Sequence, residues 1–260
     1  MTDSTARQPI FNAPVIVIVV LAVLVAVHVA RLLIPDETDF RVVLALALIP
    51  GRDRLAAEIP GGELAVWTQY FTHMLLHGDM AHLMINGAWL LVFGTVIARR
   101  LSAIRFLVAL LAGGLAGGLA FSISHHGELQ PMVGASGAVS ALMGAVMRLL
   151  FAAIDLGGAG LLNRYARLVP RAPLGRAIVD RRIVMTSVVI VGLNLLLATA
   201  FGTFLAGGTI AWEAHLGGYF AGLLGFGLLD DGPVQGRPPA DADGHEPSGG
   251  PNTPQGRDAG

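Results

Sequence analysis

Long apolar runs, separated by polar stretches rich in glycine and proline, make up most of the chain. A helix needs about 20 mainly apolar residues to cross the hydrocarbon core of a bilayer. Shorter apolar pieces between residues 35 and 78 are interrupted by prolines, which indicates an interfacial or re-entrant connection. The pattern predicts an all-α polytopic membrane protein with six transmembrane helices. We place them at residues 14–34, 79–98, 101–122, 136–151, 183–204 and 213–229.

Composition supports this division of the chain. Hydrophobic residues make up 54% of the 260 residues and charged residues 13%, against roughly 25% charged residues in soluble domains. Residues 14–229 are therefore predicted to form one membrane domain after a polar cytoplasmic lead at residues 1–13. Residues 230–260 are mostly glycine, proline and aspartate, so we expect a disordered cytoplasmic tail there.

The arginines orient the predicted helices. All 17 basic residues are arginine, and the cytoplasmic loops of multi-pass proteins carry the excess of positive charge. Most of the arginines fall on the side that includes both termini and the connection at residues 152–182. The exceptions are Arg31, Arg41, Arg52 and Arg54. We therefore expect both termini in the cytoplasm, and the simple six-helix plan is typical of a bacterial inner membrane protein.

Charge and residue content exclude several functions. The net charge is −1, so the chain has no basic surplus for binding nucleic acid. It has no cysteine, which excludes a disulfide framework and a thiolate nucleophile. The spacing of His73, His77 and His82 fits a zinc site poorly, and no carboxylate completes the set. We expect neither a metal nor a cofactor.

Four polar side chains are predicted to lie at one depth near the outer leaflet. Helices two, four and six run in the same direction, and each carries polar residues close to its start. At about 1.5 Å per residue these positions lie within about 10 Å of depth of one another. Polar groups inside a membrane are costly, so they normally face the interior and mark function. They are His82 and Asn86, Ser136, and His215.

Small residues allow the fourth and sixth helices to approach each other closely. A serine hydroxyl becomes a nucleophile when an adjacent base takes its proton, and His215 is the natural base for Ser136. Glu213 is turned off that face by its spacing, so we expect a Ser–His dyad and no triad. The two facing stripes are Ser136, Ser140 and Gly144 on one helix, and His215, Gly218, Gly222 and Gly225 on the other.

The remaining polar groups suit an oxyanion hole. His82 and Asn86 lie four residues apart on one helix face. Their side-chain donors, together with the backbone N–H groups of Ala135 and Ser136, are the types that stabilise an oxyanion. A structural hydrogen bond between helices is the alternative role for the His82–Asn86 pair. Gly134 and Gly137 would let a substrate carbonyl approach the backbone without a side chain intervening.

Taken in order, these motifs resemble the rhomboid family of intramembrane serine proteases over about residues 65–229. The resemblance implies Ser136 as nucleophile, His215 as base, and His82 with Asn86 at the oxyanion hole. It also implies that the substrates are transmembrane proteins, cut within the lipid bilayer near the outer ends of their spans. The motifs are Tyr70-Phe71-Thr72-His73, His77, His82-x-x-x-Asn86, Gly134-Ala135-Ser136-Gly137 and Ala214-His215-x-x-Gly218-x-x-x-Gly222.

The sequence departs from the family pattern at two places. The Trp-Arg pair common in the first connection is Trp67-Thr68 here, which leaves open what anchors that connection. Relatives commonly carry an aromatic residue four positions after the serine, stacked on the base. Ser140 occupies that position, so another group must hold the His215 ring. A relative that binds transmembrane helices without cutting them is the alternative function; a small transporter is disfavoured, because paired broken helices are missing.

Overall fold

The computed structural model describes residues 13–197 and 210–233 of the chain. Within them the secondary structure is helical, apart from one isolated antiparallel bridge between Leu48 and Met132. Four helical segments have the length and hydropathy to cross a membrane: Val15–Leu32, Met80–Arg100, Ala103–Ser124 and Ser136–Asp155. Helical segments also occupy the sixth predicted position and the described part of the fifth, so the all-helical membrane bundle is confirmed. The lead at 1–12, the tail from 234 and residues 198–209 lie outside the described residues.

The described helix ends follow the predicted spans to within about four residues; the predicted end of the fifth span, at residue 204, lies outside the described residues. The second span is one continuous helical segment containing a π-helical turn at Leu90–Gly94. Asp79 caps its start, because its carboxylate accepts the backbone N–H of His82 at 2.8 Å. The helices are α1 Val15–Leu32, α2 Asp36–Leu46, α3 Gly62–Thr72, α4 Met80–Trp89, α5 Thr95–Arg100, α6 Ala103–Ser124, α7 Ser136–Asp155, α8 Leu161–Tyr165, α9 Leu174–Val179, α10 Arg181–Leu197 and α11 Trp212–Gly225.

Helix α7 is largely buried and packs against α6 and α11, which also contact each other. Glycines make the crossing close: a methyl carbon added at Gly218 would lie 2.0 Å from the Gly137 carbonyl oxygen. The predicted α11 stripe is in contact at Gly218 and Gly222, whereas Gly225 faces open space. On α7 the predicted stripe is in contact at Gly144. Its other two contact positions, Gly137 and Ala141, each lie one residue after the predicted Ser136 and Ser140.

The connection at residues 35–78 folds around one buried arginine. It contains helices α2 and α3, each of 11 residues and too short to span a bilayer, as predicted. The side chain of Arg52 is fully buried and donates to the Gln69 side-chain oxygen at 3.0 Å. It also donates to the carbonyl oxygens of Pro60, Ala47 and Leu44. Arg52 therefore anchors this connection, in the absence of an arginine after Trp67.

A buried ion pair joins the end of α5 to the segment that follows α11. Arg100 donates from Nε to Asp230 Oδ1 at 2.7 Å, and both side chains are almost fully buried. The same guanidinium donates to the carbonyl oxygens of Ala166 and Val169. The prediction that the disordered tail begins at residue 230 is therefore wrong at its first residue. By composition, Asp230 belongs to the glycine- and proline-rich stretch that follows it. Its partner Arg100, however, lies on α5, far away in the sequence.

Candidate active site

Ser136 is the first residue of α7 and is half-buried. The segment before it is fixed at two points. Met132 exchanges backbone hydrogen bonds with Leu48, and the N–H of Gly134 donates to the His73 carbonyl oxygen at 2.9 Å. The first N–H groups of a helix have no partner within the helix and attract negative charge. Ser136 thus lies where backbone donors are available to a developing anion.

His82 packs directly against the loop that carries Ser136. A methyl carbon added at Gly134 would lie 2.7 Å from His82 Nε2. Gly134 also has a φ of +121°, a conformation that side-chain-bearing residues rarely adopt. Two independent reasons therefore require glycine at this position. The structure therefore places the His82 ring of α4 against the loop that carries Ser136.

Asn86 is buried one turn deeper than His82 on the same helix. Its amide nitrogen donates to the His82 carbonyl oxygen at 3.0 Å, within the helix. A side-chain amide carries two N–H donors, so this contact occupies one of them. The alternative role predicted for Asn86 is a hydrogen bond to another helix. Its amide nitrogen instead donates within its own helix.

His215 lies in the first turn of α11, beside the α7 start. The carbonyl oxygen of the preceding residue, Ala214, would be 3.2 Å from a methyl carbon added at Gly137. The neighbours of Ser136 and His215 in the chain are therefore in contact across the helices. Among the described residues Ser136 Oγ makes no hydrogen bond, so the two side chains of the expected dyad are not bonded to each other. His215 instead uses Nδ1, which lies 2.9 Å from Asn194 Oδ1 of α10.

Asn194 is the site residue that the sequence reasoning missed. It is a single polar residue on the otherwise apolar second half of α10, and no motif marks it. The sequence offers only a general indication of its role: an amide inside a membrane span needs a hydrogen-bonding partner, but the sequence does not say which residue that partner is. Asn194 also answers which group contacts the His215 ring in this chain, where Ser140 occupies the position of the usual aromatic residue.

Glu213 points to the connection ahead of Ser136 and not to His215. Its Oε1 lies 3.2 Å from His125 Nε2, while His125 Nδ1 lies 2.9 Å from Glu128 Oε2. The hydrogen bond with Glu128, followed by that with Glu213, raises the pKa of His125. His125 is thus a bridge between two carboxylates and is not simply solvated. Among the described residues, the partner of the His215 ring is Asn194 and not a carboxylate.

The histidines of the first connection support the fold. His73 is buried, and its Nδ1 lies 2.8 Å from the Gln69 carbonyl oxygen. Burial lowers the pKa of His73 to about 4, so it is neutral near pH 7. His77 packs edge-on against His82, with ring centroids 5.1 Å apart. Within the part of the chain that the structure describes, no group of three or more histidine, aspartate or glutamate residues is arranged to hold a metal ion.

Comparison with known proteins gives a consistent result. The chain is 28% identical to Rhomboid-related protein 2 of Mus musculus over 155 residues, which are 60% of this chain and 45% of that protein. It is 37% identical to Rhomboid protease GluP of Bacillus subtilis over 82 residues, 31% of this chain and 15% of that protein. The chain thus spans less than half the length of either relative. The family profile of the Rhomboid domain matches residues 64–229, which is most of the chain and contains every site residue described above, so this protein belongs to the rhomboid family.

Proposed function

We propose that this protein is an intramembrane serine endopeptidase whose catalytic residues are Ser136 and His215. One observation carries the proposal: three helices deliver a hydroxyl, an imidazole and further polar donors to the same end of α7. The His82 ring touches Gly134, and Ala214, next to His215, contacts Gly137. The name of the Bacillus relative, a rhomboid protease, supports the same chemistry.

The reaction follows from the proposed roles. His215 Nε2 takes the proton of Ser136 Oγ as the oxygen attacks a substrate peptide carbonyl. The resulting oxyanion accepts hydrogen bonds from the backbone N–H groups of Ala135 and Ser136, and from Asn86 and His82. Collapse expels the amine, which takes its proton from His215, and leaves an acyl-enzyme at Ser136. Water then attacks the ester carbonyl and gives its proton to His215. The bond between Ser136 Oγ and the carbonyl carbon breaks, Oγ takes the proton back from His215, and the new carboxyl terminus leaves.

The resting geometry requires a small rearrangement before this reaction. Ser136 and His215 must close a hydrogen bond, and Asn86 must turn its free N–H towards the oxyanion. Catalytic hydrogen bonds are often long in ligand-free enzymes and shorten when substrate binds. Gly137 and Gly218 already place the two backbones in contact, which supports closure of this hydrogen bond by side-chain rotation.

Substrate class follows from the location of the site in a membrane bundle. We propose that transmembrane proteins are cut near the outer ends of their spans. An intact helix satisfies its own carbonyl groups, so the cleaved segment should be rich in small or helix-breaking residues. No metal or cofactor takes part in the proposed reaction.

Orientation and boundaries belong to the same proposal. The arginine distribution supports cytoplasmic termini, in a multi-pass protein of a bacterial inner membrane. The membrane domain would cover residues 14–229 together with Asp230, followed by the tail. Accessibility of a tag attached after residue 260 to a protease added on each side of sealed vesicles tests the orientation.

The activity is tested by reconstitution with a model transmembrane substrate. Ser136→Ala and His215→Ala should each abolish cleavage, and a serine-directed fluorophosphonate should label Ser136 in the parent protein. Ser140→Ala, one turn further along α7, is the matched control and should keep cleavage. Cleavage that survives in both Ser136→Ala and His215→Ala would refute the dyad.

The second candidate function is binding of transmembrane helices without cleavage. The open contact between Ser136 and His215 in the resting structure favours it. Under this alternative, the parent protein and Ser136→Ala would capture the model substrate equally, and neither would release a product. Ser136-dependent product formation decides for the protease.

A further inference from the structure

The orientation of the Asn194 side chain is determined by its two hydrogen-bonding partners. Its Nδ2 lies 3.0 Å from the Ile190 carbonyl oxygen, one turn back on α10. Its Oδ1 lies 2.9 Å from His215 Nδ1. The opposite orientation of the amide would bring two oxygen atoms to 3.0 Å with no proton between them. Because the nitrogen must face Ile190, the oxygen must face His215.

This orientation determines which nitrogen of His215 carries the proton. The Asn194 oxygen is only an acceptor, so His215 must donate to it from Nδ1–H. In the neutral ring, Nε2 then keeps its lone pair. That is the tautomer that a base needs in order to take a proton from a hydroxyl, as in the serine hydrolases whose third residue holds the ring.

Asn194 also belongs to a pair of polar contacts that join α10 to α11. Ser187, two turns earlier on α10, lies 2.7 Å from the Tyr219 hydroxyl on α11. The second contact is the Asn194–His215 hydrogen bond. Much of the remaining surface of α10 is apolar and exposed, including Val188, Val189, Leu193, Leu195 and Leu196. Ser187 is therefore a natural comparison for a role of Asn194 that is limited to pairing the helices.

We infer that Asn194 is a positioning residue for His215, which holds the ring as its Nδ1–H tautomer and directs Nε2 to the proton of Ser136. The inference rests on the proposed protease function. Asn194 adds a residue on a fourth helix to the site. The availability of the His215 Nε2 lone pair then depends on the position of α10. Displacement of α10 by even one hydrogen-bond length would release the ring.

Three variants separate positioning from helix pairing. Asn194→Leu has nearly the same shape and removes the acceptor. Asn194→Asp keeps an acceptor oxygen and adds a negative charge beside the ring. Ser187→Ala removes the Ser187–Tyr219 hydrogen bond, which also joins α10 to α11, and is the matched control. Each variant is compared with the parent protein by cleavage kinetics, by the pH dependence of fluorophosphonate labelling at Ser136, and by ¹⁵N NMR of histidine-labelled protein in detergent.

For Asn194→Leu we expect kcat to fall about tenfold with KM unchanged, as for loss of one oriented hydrogen bond. The ¹⁵N signals of His215 should change from the Nδ1–H tautomer to a mixture. Asn194→Asp should recover the tautomer, and the acidic limb of its labelling profile should move to higher pH because the carboxylate favours the protonated ring. Ser187→Ala should retain the parent pH profile and the parent His215 signals.

Two results would overturn the inference: an unchanged His215 tautomer with an unchanged rate in Asn194→Leu, or equal changes in Ser187→Ala. If Asn194→Leu fails to fold, the pH profile and His215 signals of Asn194→Asp decide in the same way. If the parent protein shows no Ser136-dependent cleavage or labelling, the proposed function fails. The tautomer comparison still decides whether Asn194 holds the ring, because it needs no activity.

Discussion

Gly222 of α11 lies so close to the Ala141 carbonyl oxygen of α7 that a methyl carbon at Gly222 would be 1.8 Å from it. No side chain fits at this distance unless the helices move apart. The contact lies on the same helix pair that carries Ser136 and His215. The distance between the two backbones is thus determined by glycine, and the proposed dyad depends on it.

We predict that Gly222→Ala lowers the free energy of unfolding by about 1–3 kcal/mol, the usual cost of overpacking, and reduces labelling of Ser136. Gly225→Ala is the control, because no heavy atom lies within 4 Å of a methyl carbon there. That variant should be neutral or more stable by a few tenths of a kcal/mol, since alanine favours the helix. Denaturant titration in detergent measures both, and equal stabilities would contradict the close contact.

Asp230 and Asp231 are adjacent in sequence and differ sharply in surroundings. Asp230 pairs with Arg100 with 2% of its side chain exposed, whereas Asp231 pairs with Arg105 with 77% exposed. Asp230→Asn should cost about 3–5 kcal/mol because it leaves the buried Arg100 charge uncompensated. Asp231→Asn should cost less than about 1 kcal/mol. Unfolding measurements on the two variants check the contrast, and similar losses would refute it.

The sequence predicted the features that repeat along a helix or stand at its ends. The start of α7 at Ser136 follows from the change between a polar loop and an apolar run. The close contacts of Gly218 and Gly222 follow from their spacing. Two of the three α7 contact positions were displaced because one residue turns a helix by about 100°, and small residues occupy neighbouring positions on α7, which leaves the facing row ambiguous.

The missed features are long-range contacts of single polar residues. Arg52 looks like any arginine of a solvated connection until its four acceptors are seen to surround it. Asn194 is one amide in an apolar run, and its partner His215 lies 21 residues away. Asp230 begins a stretch of tail-like composition, yet its partner Arg100 is 130 residues distant. Composition and periodicity carry no signal for such pairs.

Arg52 provides the third prediction. Arg52→Met should lower the free energy of unfolding by about 3 kcal/mol, because buried acceptors lose their donor. Limited proteolysis should also cut residues 35–78 more readily. The control is Arg41→Met, whose side chain is 69% exposed and pairs with Glu37 across one helical turn. If Arg41→Met proved as damaging as Arg52→Met, general loss of positive charge would explain the effect better than anchoring.

The last prediction concerns pH and the bridge from His125 to Glu128 and Glu213. The pKa of His125 is raised above its ordinary value of 6.5, chiefly by Glu128 and then by Glu213. A raised pKa in the folded protein contributes stability that is fully present below pH 6.5 and is lost as the pH rises through the folded value. The connection ahead of Ser136 should therefore be held to α11 more firmly at pH 6 than at pH 8.5.

Hydrogen exchange of residues 126–131 measures how firmly this connection is held. The quantity compared is the difference in exchange rate between the parent protein and His125→Gln at each pH. The difference is needed because the pKa of His73 and of His77 is lowered to about 4, mainly by burial, and their contribution is lost as the pH falls below 6.5. His125→Gln should exchange faster than the parent at pH 6 and about equally at pH 8.5. His126→Gln, at the exposed neighbouring position, should match the parent at both. A gap between parent and His125→Gln that stays constant with pH would show that protonation of His125 does not hold the bridge.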